Sequence, residues 1–254
     1  MPRFKNSLAR AMSERMEING VTYKIASCRS EREDAFRLIH DAYVNSGLMK
    51  ANGAGMRITP YHLLPTTDLF VAYHQQTVVF TMTMVCDDLM GMPLEHVYGD
   101  EVETRRVAEN AYLAEVSCLA GRTGHFGRRR MFNVFVNLAA LMVQSAHENG
   151  VQRLLIACNP RHARFYQNYL GFTQIGLQRE YSQVLNKPAI ACEHDFDRFD
   201  SNEKPQQSYP LKDRIYGTTF RQYELFHQPM LPEEREYFAE QCDLDENHFP
   251  LEAV

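Results

Sequence analysis

Hydrophobic and polar positions along this chain fall into blocks short enough to read one at a time. Residues 21–27 alternate apolar and polar and predict a first strand. Ser30 followed by Glu33 is a capping-box pattern. Ala35, Phe36, Ile39, Ala42 and Tyr43 then recur at helical spacing and predict a helix over 31–45. Residues 46–67 are rich in Gly and Pro yet too apolar to lie in water, so they are expected to fold over a site. Strands at 68–73 and 77–86 follow, and in the second Phe80, Met82, Met84 and Cys86 share one face. A polar excursion over 87–110 leads to a strand at 112–120, a loop at 121–130 and a helix from Met131. In that helix Val134, Phe135, Leu138, Leu141 and Met142 keep the period, and Gly150 supplies the stop. Residues 152–158 are short and continuously apolar, as in a buried strand. Pro160 suits the first turn of a helix with Asn159 as its N-cap and Gly171 as its end. Strands at 172–177 and 189–195 complete the series. This order predicts an α/β fold with one central mixed sheet flanked by helices.

The pattern changes at both ends. Residues 1–19 are polar and basic and read as an N-terminal extension ahead of a domain at 20–195. From 196 onward a charged run marks a domain edge, followed by an aromatic stretch (Tyr216, Phe220, Tyr223, Phe226) and a helix over 232–241 opened by Pro232 and Glu233. This C-terminal extension, 196–254, is expected to dock on the domain or to form a dimer contact. A net charge of −5 removes overall basicity as a reason to expect nucleic acid. The six cysteines are far apart with no CxxC pair, which suits reduced thiols in the cytoplasm. No apolar run has the length of a membrane span, and no histidine spacing suggests a metal.

Candidate chemistry concentrates in 111–150. A strand, a loop carrying Gly121, Gly124 and Gly127, and a helix N-terminus together make an anion site, because unpaired backbone N–H groups and the positive helix end converge there. Arg122, Arg128, Arg129 and Arg130 lie in the same loop. A short arginine run is ordinarily a solvated face, but positive charge beside a helix N-terminus calls for an anionic partner. Glu115 stands inside an otherwise apolar strand, where a carboxylate is costly unless solvated or paired. It is either a general base whose pKa burial raises or a structural partner of an arginine. The Phe80, Met82, Met84 row walls an acyl tunnel or faces an ordinary core. Asn159 needs no role beyond its cap, and His162 is structural or touches an acceptor.

Four blocks, AFRLIHDAYVNSGLM (35–49), RITPYHLLPTTDLFVA (57–72), AEVSCLA (114–120) and PRHARFYQNYLGF (160–172), accompany this strand–loop–helix unit. Together they resemble the GNAT N-acyltransferase superfamily and, within it, the long-chain N-acyl amino acid synthase group related to the acyl-homoserine-lactone synthases. The resemblance implies a GNAT-like fold and an N-acyltransferase. Such an enzyme moves a fatty acyl group from an acyl-carrier-protein or acyl-CoA thioester to the amine of an amino acid or similar small molecule, with no tightly bound cofactor. It further implies Glu115 as general base and Tyr166 as the acid toward the leaving thiolate. Donor-binding residues would be Ser117, Leu119, Arg122, Phe126, Gly127, Arg128, Arg129, Arg130 and Asn159. Phe80, Met82 and Met84 would form the acyl pocket, and His162 would meet the acceptor. Two positions depart from the pattern. His125 occupies the first glycine of the GNAT phosphate loop, which favours a carrier-protein donor over free CoA. Cys118 stands where the group's Glu-Val-Ser is followed by arginine, so that arginine's task is missing or falls to another residue. The competing readings are a CoA-dependent small-amine acetyltransferase and a non-catalytic acyl-thioester binding or sensor protein.

Overall fold

The computed structural model describes residues 17–200 and 209–241. Its strands are β1 (Glu17–Ile18), β2 (Val21–Ile25), β3 (Thr67–His74), β4 (Thr77–Cys86), β5 (Leu113–Gly121), β6 (Arg153–Cys158), β7 (Thr173–Gln174), β8 (Arg179–Tyr181) and β9 (Lys187–Asp195). They form one sheet in the order β1-β2-β3-β4-β5-β6-β9-β7, with β8 paired to β9 off this path. Only β5 and β6 run parallel. The helices are α1 (Arg29–Asn45), α2 (Glu95–Glu103), α3 (Arg128–Glu148), α4 (Pro160–Leu170), α5 (Phe196–Asp200), α6 (Lys212–Gly217) and α7 (Pro232–Glu240). The expected mixed α/β architecture is what the chain adopts.

Two layers cover the sheet. On one face α3 lays Val134, Leu138 and Leu141 over Phe70, Met82 and Met84, while α4 sets Ala163 against Ile156, Cys158, Ile190 and Cys192. On the other, α1 buries Ala35, Phe36 and Ile39 against Leu69 and Val71. The 87–110 excursion covers the second half of that face, where Tyr98 and Val102 pack on Leu113, Leu155 and Ala191. The C-terminal chain passes from one face to the other. Phe220 joins the α3 layer, and the backbone of Phe220 exchanges hydrogen bonds with the Gln144 side chain at 2.8 and 3.0 Å. Phe238 reaches the α1 layer edge-on to Phe36, and Glu234 pairs with Arg32 at 2.8 Å.

Several boundaries differ from the expected ones. Helix α1 begins at Arg29 with Cys28 as N-cap, so Ser30 is not the cap; Glu31 instead accepts from the Ser27 N–H at 2.9 Å. Helix α3 begins at Arg128, which puts the three arginines in its first turn and ends the loop at Gly127. The excursion holds α2, unforeseen because only Tyr98 and Val102 of its polar run are buried. The 172–177 strand shrinks to Thr173–Gln174, and the final strand starts at Lys187. The expected N-terminal arm lies largely outside the described residues, as do Cys242 and the end of the C-terminal extension.

Candidate active site

The site begins as an irregularity in β5. Thr83 pairs with Ser117 and Thr81 with Ala120, so Cys118 and Leu119 together oppose Met82. This is a β-bulge, and Cys118 takes a left-handed φ of 51°, a conformation that costs a non-glycine residue roughly 1 kcal/mol. The bulge reverses the side-chain alternation. Ala114, Val116 and Leu119 face α3, whereas Cys118 and Ala120 face α1. Beside it the sheet opens. β5 and β6 pair only over Leu113–Arg153, Ala114–Leu154 and Glu115–Leu155. Beyond Glu115 the two strands part, and the bulge amides are left at the edge of the gap.

On the α3 and α4 side of the gap lies a cleft of about 540 Å³. Its walls are largely aromatic: Phe80, Phe126, Phe132, Phe135, Phe165 and Tyr166, with Leu119 and Gly121 at its floor. Phe165 stacks on Tyr169 at 5.4 Å and meets Phe132 at 6.1 Å, which makes the α4 wall a continuous ring surface. Arg122, Arg128 and His162 stand on the lining. The Arg122 Nε donates to the Val78 carbonyl at 2.8 Å. The loop tip is held by a stack of side chains: His74 Nδ1 and His125 Nε2 are 3.0 Å apart, His125 lies against Phe126, and Arg130 covers the Phe126 ring at 3.8 Å. Burial, then the His74, Arg122 and Arg130 charges, push the His125 pKa down.

On the opposite face, Glu115 is 1% exposed and accepts a hydrogen bond from the Leu94 N–H at 2.6 Å. Burial raises its pKa to about 8; the Leu94 bond opposes the rise and Glu95 adds to it. No arginine pairs with it among the described residues. Tyrosines surround it. Burial and then Glu115 itself raise the pKa of Tyr61 and of Tyr181. Tyr43 is raised by burial and then by Cys118, with a smaller contribution from Tyr166 across the gap. His62 is pushed down to about 3 by burial and by Arg57. Tyr166 lines the cleft itself, and burial lifts its pKa to about 12.

The structure therefore gathers Phe80, Leu119, Arg122, Phe126, Arg128, His162 and Tyr166 at one cleft. Other expected residues lie elsewhere. Met82 and Met84 are buried under α3 and do not wall the cleft, because the bulge sits opposite Met82 and the cleft opens beyond it. Asn159 caps α4, its side chain accepting from the Arg161 N–H at 3.0 Å, and Gly127 is the N-cap residue of α3. Arg130 is engaged with the Asn19 carbonyl at 3.1 Å and with Phe126, and neither it nor Arg129 lines the cleft. Ser117 pairs with Thr83 immediately before the bulge and is not part of the lining. The aromatic wall Phe132, Phe135 and Phe165, and the tyrosines Tyr43, Tyr61 and Tyr181, escaped sequence reasoning. Phe135 and Phe165 sit on helix faces that read as ordinary core, Phe132 is 37% exposed, and the tyrosines are far from Glu115 in sequence. Among the described residues no group of three or more potential ligands could hold a metal, and no helix is long and apolar enough to cross a membrane.

Residues 34–195 match the family model described as N-acyl amino acid synthase FeeM. Among solved structures, FeeM, an N-acyl amino acid synthase from uncultured soil microbes, is 25% identical with a TM-score of 0.61, over 74% of this chain and 96% of that one. The acyl-homoserine-lactone synthase LasI (12% identity, TM-score 0.55, 79% and 96% covered) shares the fold. So does the CoA-dependent acyl-homoserine-lactone synthase BjaI (18%, 0.54, 87% and 100%). No curated protein sequence matches the chain. A GNAT-like sheet opened at a β5 bulge, together with a family match over most of its length, identifies the chain as an N-acyltransferase that belongs to the N-acyl amino acid synthase FeeM family.

Proposed function

We propose that the enzyme transfers a fatty acyl group from an acyl-carrier-protein thioester to the amine of an amino acid. The carrying observation is the opening between β5 and β6, with an aromatic cleft on one face and the buried Glu115 at the point of divergence on the other. A pantetheine arm and acyl chain are thin and apolar, and an aromatic cleft suits them. In this reading the thioester carbonyl meets the amides of the β5 bulge, which stabilise the developing oxyanion. Glu115 removes a proton from the ammonium, since the protonated amine has no lone pair. The freed nitrogen attacks the carbonyl carbon, the C–S bond breaks, and Tyr166, still protonated at working pH, donates to the departing thiolate. A carboxylate held at about 8 is matched to an ammonium far better than an exposed one.

Support for a carrier protein over free CoA comes from the rim. Arg128, Arg129, Arg161 and Arg164 are exposed around the cleft, and none makes an ion pair among the described residues. Such a patch suits an acidic partner more than the single diphosphate of CoA. The test supplies purified enzyme with the same acyl chain on carrier protein and on CoA, together with a pool of amino acids, and reads N-acyl amino acids by mass spectrometry. The expected result is a kcat/KM at least about tenfold higher for the carrier-protein donor. Equal or better use of acyl-CoA would assign the CoA-dependent reading, and tight donor binding without product would assign the non-catalytic one.

A further inference from the structure

Arg57 lies in the apolar 46–67 segment, on the α1 face of the sheet. Its guanidinium sits over the Tyr43 ring at 4.8 Å, and Nη2 donates to the Gln183 carbonyl at 2.9 Å. Its Nε is buried and makes no hydrogen bond among the described residues. Among the described residues Arg57 makes no ion pair with a carboxylate. Four other arginines of restricted exposure are paired, Arg32 with Glu234, Arg105 with Glu193, Arg106 with Asp87 and Glu95, and Arg153 with Glu109, while Arg122 and Arg235 resemble Arg57 in making no ion pair among the described residues. Leaving a half-buried cation uncompensated is expensive, so its retention points to an anion that arrives from outside.

The surroundings indicate which anion. Tyr43, which Arg57 covers, lies beside the Cys118 thiol of the bulge, which after burial is the main cause of its raised pKa. Tyr181 stands beside Glu115, to which its hydroxyl donates, and near Cys118 and Tyr43. An unsatisfied donor, the Arg57 Nε–H, thus borders the place where the acyl carbonyl would meet its acceptor, on the face opposite the donor cleft. Arg57 brings a guanidinium from another segment over Tyr43, beside Cys118. On the reading of the enzyme as an amino acid acylase, we infer that Arg57 binds the carboxylate of the acceptor, presenting Nε–H and its free N–H groups as a fork. The planar guanidinium matches a carboxylate in a way that a lysine would not. Arg57 is a specificity-determining residue in this account: it selects amines that carry a carboxylate and sets their orientation.

The test compares each amino acid with its decarboxylated amine, namely tyrosine with tyramine, phenylalanine with phenethylamine and leucine with isoamylamine. Wild-type enzyme should prefer the amino acid in each pair. Arg57→Met should raise the KM of the amino acid by roughly 10- to 150-fold, the range of a charged hydrogen bond. It should leave the KM of the donor and the kcat/KM of the amine within about threefold, because neither contact involves the missing charge. Arg57→Lys, which keeps the charge and the folded scaffold, should restore part of the preference. A wild-type enzyme that uses both members of each pair equally would overturn the assignment, as would a variant that keeps the preference or loses both activities alike. A wild-type enzyme that acylates no member of any pair would instead contradict the proposed function itself.

Discussion

The two faces of the sheet meet at the same gap and are built on opposite physical principles. On the α3 and α4 side the cleft walls are aromatic rings, and the charges sit at the rim, beside Arg122 and Arg128. On the α1 side polar groups are buried and each is displaced from its ordinary pKa: Glu115 up to about 8, His62 down to about 3, and Tyr43, Tyr61 and Tyr181 upward. A face that holds its ligand by apolar area tolerates exchange of one ring for another. A face of buried polar groups does not, because each lost proton or charge leaves a partner unsatisfied. Donor chain length is therefore expected to be broad and acceptor choice narrow.

Changes on the polar face should have the largest effects. Glu115→Gln keeps the volume and the Leu94 hydrogen bond but cannot take a proton, so kcat should fall by about 10²- to 10⁴-fold while thermal unfolding stays cooperative. The same substitution should also stabilise the fold at alkaline pH. The folded pKa of Glu115, about 8, lies above its ordinary 4.5. The folded state thus retains a proton that the unfolded chain releases. Wild-type stability relative to the Gln variant should be flat below about pH 4.5, fall as pH rises from there, and level off above about pH 8, with a total on the order of a few kcal/mol. Melting temperatures of both proteins across that range check it, and a constant difference would place Glu115 in a polar setting.

Changes on the apolar face should be milder. A Cβ at Gly121 would stand 2.9 Å from the Phe80 ring and must push it toward the cleft. Gly121→Ala should raise the donor KM by about tenfold at a stability cost of about 1–3 kcal/mol, with the acceptor KM unchanged. At the rim, Arg128→Glu combined with Arg129→Glu should raise the KM for acyl-carrier protein several-fold and leave that for acyl-CoA within about twofold, an effect that shrinks in salt. Steady-state kinetics with both donors separate these cases. Equal loss with both donors would remove the carrier-docking role of the arginines.

How much of this was legible in the sequence depended on range. Helix α4 was read from Asn159 to Gly171 because cap, proline and left-handed glycine are local signals, and the glycine does take φ 72°. The unusual position of Glu115 was visible because a carboxylate interrupts an apolar strand. The bulge was not, since Cys118 gives no sign that it adopts a positive φ. That omission led directly to Met82 and Met84 being placed in the acyl pocket, when the pleat continues past them into the core. Likewise Tyr43, Tyr181 and Arg57 come from three separate elements, and only tertiary packing brings them near Cys118 and Glu115.

In the proposed reaction the buried Glu115 provides the base for acyl transfer at the opening of the sheet. The pH dependence of kcat/KM for wild type and Glu115→Gln, from about pH 6 to about pH 10, tests it most directly. Wild-type activity should rise through an apparent pKa near 8, and the Gln variant should lose this limb, retaining only the one set by the acceptor amine at higher pH. Superimposable profiles, differing by no more than a few-fold in height, would contradict it.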